Sequence, residues 1–211
     1  MMERVNISGG WYKSAMFMRG MLFPGGREPV LKGKAVYLRY PEMSDYANWA
    51  ALRGDSREVL APWEPTWAAD ELTRAGFRRR LRRYQREIRT DSAYPFFLFH
   101  APDDALMGGC TLSHVRRGVT QSAALGYWTG ARYARQGHMF CALRAMLPFV
   151  FEVLGLHRLE AACIPENDPS RALLVKLGFR EEGRARRYLQ INGEWRDHVL
   201  FALLEDDRPV G

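Results

Sequence analysis

The sequence has few cysteines and no long apolar run. Its 211 residues include three cysteines, Cys110, Cys141 and Cys163, which lie far apart and lack the spacing of a metal site. Because an odd number argues against a fully paired disulfide framework, we expect a reducing, cytoplasmic environment. No run approaches the roughly 18 apolar residues that a membrane span needs, and residues 1–20 lack a basic region followed by an apolar stretch. We therefore expect neither membrane insertion nor secretion.

Two common phosphate-binding motifs are also missing. The chain contains no GxGxxG, which disfavours a dinucleotide-binding fold, and no GK[ST] ending, which disfavours a P-loop. Four of the histidines form no metal-binding pattern, so we predict no metal; these are His114, His138, His157 and His198.

The composition is that of an ordinary globular protein. Hydrophobic residues make up 47% and charged residues 26%, and the length suits one domain with a single core. The net charge of +7 is moderate. It suggests an acidic partner, such as a cofactor phosphate or RNA, although surface charge also serves solubility alone.

The order of elements predicts one domain between two short ends. Residues 1–33 show no sustained periodicity, so we expect a loosely ordered leader that a later start codon could shorten. We assign residues 34–205 to the domain and 206–211 to a tail. The patterns predict the order β, α, α, three antiparallel strands, α, β, α, two strands. This is an α/β (α+β) fold, with a mixed, mostly antiparallel central sheet and helices on both faces.

The second predicted helix is rich in arginine. It runs from Asp70 to Arg89, and an apolar stripe faces inward at Phe77, Leu81, Tyr84 and Ile88. Its other faces carry arginines at 74, 78, 79, 82, 83, 86 and 89. They form either a solvated face or a surface that contacts the phosphates of ribosomal RNA.

A junction between a strand and a helix carries the chemistry. The strand "ALGYWTG" is followed by "ARYARQGHMF", which opens a helix predicted over residues 136–154, with a kink at Pro148 and an end at Gly155. Backbone N–H groups at a helix N-terminus favour anions, and Gly137 permits close approach. This junction can hold a pyrophosphate, although an ordinary strand-to-helix turn would look similar.

Several segments together resemble a known family. The meander of three strands, "RQGHMF", "LHRLEA", "NDPSRALLVKLGFREEG" and "INGEWRDHVLFAL" are similar to GNAT acetyltransferases. The segments "LAPWEP" and "NGEWRDHVL" resemble the RimJ type, the ribosomal-protein-alanine N-acetyltransferases. The resemblance covers roughly residues 34–205, and it implies the GNAT fold and acetyl-CoA as cosubstrate.

The resemblance also implies where acetyl-CoA binds. The family motif Q/R-x-x-G-x-G/A falls on residues 134–139, where Ala134 and Met139 depart from it and Gly137 matches. Backbone amides of this segment would hold the pyrophosphate, and the preceding strand would pair with the pantetheine arm. The implied cofactor-binding residues are Tyr127, Trp128, Thr129, Arg135, Gln136, Gly137, His138, Met139, Phe140, Asn167 and Ser170. For Tyr127 and Trp128 ordinary strand packing is an equal alternative, and for Asn167 the alternative is helix capping alone.

For the reaction, the resemblance implies attack of a neutral amine on the thioester, with an acid that protonates the departing thiolate. Ser170 is the first candidate acid and Tyr188 the second. Many GNAT enzymes use a tyrosine seven residues beyond the asparagine, but Leu174 stands there. Glu64 and Glu160 are the carboxylates that could help as base through water, and Glu64 could instead bind the incoming ammonium.

The leading prediction for the acceptor is the N-terminal alanine of a ribosomal protein. Glu64 lies on the loop where the RimJ type receives its peptide, and Trp63 and Trp67 could form an apolar wall beside it. Alternatives are a small amine, such as an antibiotic or polyamine, and a noncatalytic ribosome-associated factor that keeps the fold.

Overall fold

A computed structural model describes residues 29–207 of the chain. Eight strands form one sheet, and their bounds are β1 Leu31–Gly33, β2 Val36–Arg39, β3 Tyr94–His100, β4 Leu106–Arg116, β5 Ser122–Thr129, β6 Arg158–Cys163, β7 Arg180–Ile191 and β8 Glu194–Leu204. Their order across the sheet is β1-β2-β3-β4-β5-β6-β8-β7. All neighbours pair antiparallel except β5 and β6, which are parallel. The predicted meander and mostly antiparallel mixed sheet are confirmed.

Within residues 29–207, five α-helices connect or flank the strands. They are α1 Tyr46–Asp55, α2 Arg57–Leu60, α3 Arg74–Arg89, α4 His138–Pro148 and α5 Asp168–Lys176. A 3-10 turn, Ala61–Trp63, follows α2 and opens the loop with two prolines. Helix α3 begins four residues later than predicted, because the Thr73 side chain caps it by accepting a hydrogen bond from the Gly76 N–H at 3.0 Å.

Pro148 does not kink a long helix in the way that the sequence pattern predicts. It lies at the end of α4, and the chain continues without a break into a π-helical turn, Phe149–Val153. A wider turn accommodates a proline, which cannot donate a backbone hydrogen bond. Gly155 follows in the left-handed region, with φ of +61°, as the predicted helix end requires.

Two apolar clusters hold helices on the two faces of the sheet. The larger cluster joins α4 and its π-helical turn to inward residues such as Leu98, Leu112 and Leu159, all of which are fully buried. The smaller one packs Trp49 of α1 and Phe77 of α3 against the other face. This two-sided arrangement is the predicted one.

The sheet begins before the predicted domain boundary. Residues Leu31–Gly33 fall within the predicted leader, yet they form β1 and pair with β2 through Leu31 and Leu38. The rest of the predicted leader, residues 1–28, lies outside the described residues, as do 208–211 of the predicted tail. Within the described part, no helix is both long enough and apolar enough to span a membrane.

Candidate active site

The parallel strands β5 and β6 separate near their carboxyl ends. Their pairing runs from Ser122 opposite Arg158 to Leu125 opposite Ala161, and it goes no further in the described part of the chain. Strand β5 nevertheless continues to Thr129. At Gly126 an added Cβ would meet no heavy atom within 4 Å. Residues 126–129 therefore present an open strand edge, to which an extended ligand can add as another strand.

Two hydroxyl groups meet across this gap. The Tyr127 hydroxyl of β5 lies 2.7 Å from Ser170 Oγ in the first turn of α5, and either atom can be the donor. Burial raises the pKa of Tyr127 to about 12, although the hydrogen bond with Ser170 acts in the opposite direction. The phenol is thus protonated at neutral pH, and the pair can exchange or pass on a proton.

The start of α5 fixes Ser170. Asn167 is the N-cap residue, and its Oδ1 accepts a hydrogen bond from the Ser170 N–H at 3.2 Å. The capping role considered for Asn167 is therefore present, and the amide nitrogen of its side chain is not used by it. Cys163, which the sequence prediction did not include, ends β6 beside Ser170. Burial raises the pKa of the Cys163 thiol, and a hydrogen bond with Ser170 opposes that shift.

The segment before α4 has the geometry of an anion site. Arg135 and Gly137 adopt positive φ values of +61° and +82°, and Gly137 is the N-cap of the helix. An added Cβ at Gly137 would meet nothing within 4 Å, so glycine is favoured here by backbone conformation rather than by space. The N–H groups of the first turn have no acceptor within the helix and point beyond its positive end.

Side chains brace this segment from both sides. Gln136 donates to the Arg132 carbonyl at 2.8 Å, and its Oε1 lies 3.2 Å from His138 Nε2. Met139 is buried in the main core and Phe140 packs against it. Of the residues predicted to hold a pyrophosphate, these two can therefore contribute only through their backbone amides.

Trp128 and Thr129 complete the open part of β5. Trp128 faces away from Tyr127 and packs against the cluster of α1 and α3. Thr129 pairs with Gly108 of β4 on the closed side of the strand. The strand-packing alternative for Trp128 is thus present in the structure.

Glu64, which the sequence analysis considers as a base or as a ligand of the incoming ammonium, is paired with a buried arginine. Both of its oxygens accept hydrogen bonds from Arg53, Nη1 to Oε1 and Nη2 to Oε2, each at 2.7 Å. Trp67 Nε1 also donates to Oε2, at 2.8 Å. Trp67 is therefore a partner of the carboxylate, whereas Trp63 is 37% exposed and available to a ligand.

The remaining predicted groups have contacts of their own. Tyr188 is 47% exposed on an irregular part of β7, and its ring packs edge-on against His198 at 5.8 Å. Glu160 accepts a hydrogen bond from Arg158 Nε at 2.8 Å, which is the ion-pair role considered for it. Leu174 is buried in the core, so α5 offers no tyrosine at that position.

The described residues include no group of three or more His, Cys, Asp or Glu side chains that could hold a metal ion. The site is instead built from an open strand edge, a helix N-terminus and a pair of hydroxyl groups. Such a site suits an elongated ligand with a phosphate at one end and a reacting group near Ser170.

Comparison with known proteins agrees with this geometry. Residues 35–180 match the model of a family described as "Acetyltransferase (GNAT) domain". The chain belongs to the GNAT acetyltransferase family, and the predicted GNAT fold and enzyme class are confirmed. It is an acetyl-CoA-dependent N-acetyltransferase, which transfers an acetyl group to a primary amine.

Three relatives narrow the comparison. The chain is 36% identical to the probable N-acetyltransferase YjcK of Bacillus subtilis, over 84% of this chain and 98% of the relative. It is 37% identical to the [ribosomal protein uS5]-alanine N-acetyltransferase of Escherichia coli, over 74% of this chain and 81% of that enzyme. The structure of Mycobacterium smegmatis RimJ in complex with CoA-disulfide superposes with a TM-score of 0.80 at 35% identity, covering 86% of this chain and 88% of that one. The predicted resemblance to the RimJ type is confirmed.

Proposed function

We propose that this enzyme acetylates the N-terminal alanine of a ribosomal protein, with acetyl-CoA as the donor. The observation that carries the proposal is the 37% identity to an enzyme named for that reaction, over 157 residues. The open edge of β5 and the N-terminus of α4 support it, because together they suit the extended, phosphate-bearing donor.

The donor would lie along β5 and end at α4. Its pantetheine arm would pair with residues 127–129, and its pyrophosphate would accept hydrogen bonds from backbone amides of residues 135–140. The thioester would then lie near Ser170, with the side-chain amide nitrogen of Asn167 free to donate to the arm. This assignment uses the exposed backbone of the segment and leaves Met139 and Phe140 in the core.

Ser170 would act as the acid that protonates the departing CoA thiolate. A free N-terminal amine, with a pKa near 7.8, is on the order of 10% neutral at pH 7, so it needs little help from a base. As the amine bonds to the acetyl carbon, the carbon–sulfur bond breaks and the thiolate takes a proton from Ser170 Oγ, while the nitrogen loses one proton to water, from which the hydroxyl pair regains its proton. The Tyr127 hydroxyl, 2.7 Å from that oxygen, would orient the Ser170 hydroxyl and replenish its proton.

We also propose that the outer face of α3 contacts ribosomal RNA. Three of its arginines pair with carboxylates: Arg79 with Asp70, Arg80 with Glu71 and Arg83 with Glu87. Five exposed arginines pair with no carboxylate in the part of the chain that the structure describes; these are Arg74, Arg78, Arg82, Arg86 and Arg89. On a helix of 3.6 residues per turn these five lie within an arc of about 120°. We call them the arginine face, and their charge suits a phosphate backbone.

The proposed acceptor places the enzyme in the cytoplasm, where ribosomal proteins are made. The state of the thiols agrees with this, since Cys110, Cys141 and Cys163 are all free.

Release of free CoA would test the main proposal. The protein is mixed with acetyl-CoA and a short peptide that begins with alanine, and the control is the same peptide with a blocked N-terminus. We expect turnover only with the free terminus. Turnover with small amines and none with the peptide would refute the proposed acceptor, and CoA binding without any turnover would indicate a lost activity.

A further inference from the structure

A buried arginine contacts both strand β5, to which we assign the donor, and the loop to which we assign the acceptor. Arg53 lies in the last turn of α1 and is only 6% exposed. Its guanidinium lies between two indole rings, 4.3 Å from the ring centroid of Trp67 and 4.9 Å from that of Trp128. Both terminal nitrogens donate to Glu64, at 2.7 Å each. We call these four side chains the Arg53 clamp.

The members of the clamp come from segments with different roles. Trp128 belongs to the open part of β5, where we place the donor. Glu64 and Trp67 belong to the loop after Ala61–Trp63, which we expect to receive the acceptor. The Glu64 carbonyl also accepts a hydrogen bond from the Asn192 N–H, at 2.9 Å, in the turn between β7 and β8. The Glu64 carboxylate thus ties the acceptor loop to Arg53 of α1, which stacks on Trp128 of β5, and the Glu64 main-chain carbonyl ties the loop to the hairpin.

The helix that carries Arg53 is itself fixed to the end of β5. Ser56, which follows α1, is 1% exposed, and its Oγ accepts a hydrogen bond from the Ala131 N–H at 2.9 Å. Ala131 is two residues beyond the end of β5. Two contacts therefore fix Arg53 relative to the donor strand, its stacking on Trp128 and the hydrogen bond between Ser56 and Ala131.

The residues of the clamp are better suited to fixing the position of the acceptor loop than to stabilising the fold. Apolar side chains of similar volume would fill this space without desolvating two charges, and such replacements are often neutral or stabilising. Arg53 Nε is buried and has no hydrogen-bond partner among residues 29–207, so the arrangement leaves a donor unsatisfied within that part of the chain. Arginine contributes a planar guanidinium. Its two terminal nitrogens hold both oxygens of a carboxylate, while its faces stack on aromatic rings.

We propose that Arg53 is a positioning residue, which sets the acceptor loop at a fixed distance from the donor strand. This inference rests on the proposed function for its assignment of the donor to β5 and the acceptor to residues 61–67. Glu64 is then the anchor of that loop. Arg53 and Trp67 donate three hydrogen bonds to its two oxygens, so this anchoring role is an alternative to the two roles that the sequence suggests for Glu64, help as a base and binding of the incoming ammonium.

The test is Arg53→Lys, which keeps the charge but loses the fork and the stacking surface. We expect KM for the acceptor to rise about tenfold or more, because a misplaced loop lowers the population of productive complexes. KM for acetyl-CoA and kcat at saturating acceptor should change by less than about twofold. Glu64→Gln should shift the acceptor KM in the same direction.

The protein offers a matched control at a second arginine. Arg39 also forms a two-bond pair with a buried carboxylate, that of Asp45, at 2.6 and 2.9 Å, and it also stacks on an aromatic ring, Phe99, at 4.2 Å. It lies on β2, and its partner Asp45 is the N-cap residue of α1, at the opposite end of that helix from Arg53. Arg39→Lys should lower the melting temperature and leave the acceptor KM unchanged. An equal rise in acceptor KM for Arg39→Lys would overturn the proposal.

A double variant separates positioning from stability. Arg53→Met with Glu64→Leu removes both charges and refills the space, so the melting temperature should recover. The acceptor KM should stay high. If it recovers together with the melting temperature, Arg53 acts only through stability and the proposal is wrong.

Hydrogen exchange gives a readout that does not depend on the acceptor. In the protein without substrates, Arg53→Lys should speed exchange of the backbone amides in residues 61–67, and Arg39→Lys should not. Unchanged exchange in that loop would refute the clamp. If the loop responds but the alanine peptide is not acetylated, the proposed acceptor fails while the positioning role stands.

Discussion

At the scale of single residues, the contact between Tyr127 and Ser170 brings together groups that lie 43 positions apart in the sequence. Leu174 occupies the position at which many GNAT enzymes carry a tyrosine on the corresponding helix. The structure supplies another phenol from β5, directly against the proposed acid. A hydroxyl pair of this kind can hold a serine in the orientation that proton donation requires, although serine alone is a weak acid.

Removal of either hydroxyl group should lower kcat. For Ser170→Ala we expect a loss of about 100-fold, the lower range for a general acid. Tyr127→Phe keeps the ring and loses one hydrogen bond, so we expect a loss of about tenfold. Steady-state kinetics at saturating substrates would measure both, and Ser44→Ala, an exposed serine outside the site, is the control.

The double variant then tests whether the two hydroxyl groups act as a unit. If Tyr127 works through Ser170, Tyr127→Phe should add no further loss in the Ser170→Ala background. Losses that multiply would show that Tyr127 has an independent role, for example in packing the donor.

Local patterns explain which site residues the sequence could predict. Asn167 and Ser170 are three positions apart at a helix start, where capping preferences and a family motif coincide, and the structure places them together. The sequence does not reveal the Glu64–Arg53 pair, because its partners lie on a helix and on a loop with two prolines. No periodicity relates such segments, so sequence patterns do not reveal that the two residues pair.

At the scale of elements, the boundaries depend on capping and on backbone conformation. Strands β2 and β6 alternate between buried and partly exposed residues, whereas β3 is buried almost throughout and β7 is mostly exposed. Turn residues between the strands nevertheless allow the sequence to predict them to within a few residues. The predicted start of α3 is too early, because the charges of Asp70 and Glu71 suit a helix N-terminus as well as Thr73 does. In the structure both carboxylates pair with arginines of the helix instead.

The N-terminus of α4 gives a prediction about the donor. Gly137→Ala forces a residue with a side chain to adopt φ of +82°, which costs roughly 1–2 kcal/mol in this region. Relief of that strain would change the backbone of the anion site. We therefore expect KM for acetyl-CoA to rise about tenfold, which corresponds to about 1.4 kcal/mol of binding.

The matched control for that change lies beyond the π-helical turn. Gly155 also has a positive φ, +61°, and an added Cβ there would likewise meet nothing within 4 Å. Gly155→Ala should lower the melting temperature to a similar extent and leave KM for acetyl-CoA unchanged. Equal effects of the two variants on that KM would argue against an anion site before α4.

At the scale of the whole molecule, the net charge of +7 is not spread evenly. Helix α3 carries eight arginines, and its ion pairs neutralise those on one side only. Like charges at i, i+4 on the arginine face, such as Arg78 and Arg82, destabilise a helix by a few tenths of a kcal/mol per pair. The composition alone allows either a solvated helix or an RNA contact, because it cannot reveal which arginines are paired. In the structure the paired arginines and the arginine face lie on different sides of α3, and this separation supports the proposed contact with RNA.

The salt dependence of RNA binding can test whether the arginine face of α3, rather than its paired arginines, contacts RNA. Arg78→Gln with Arg82→Gln removes two members of the arginine face, and each arginine that no longer neutralises a phosphate should reduce the slope of log K against log salt by about 0.7 for single strands or 0.9 for duplexes. We expect a total change of about 1.4 to 1.8, measured by fluorescence anisotropy with a labelled ribosomal RNA fragment.

The control, Arg79→Gln with Arg83→Gln, removes the same charge from the same helix but from arginines that are already paired. It should change the slope much less, and acetylation of a free peptide should be unaffected in both variants. Equal slopes for the two variants would show that net charge, rather than this face, governs binding.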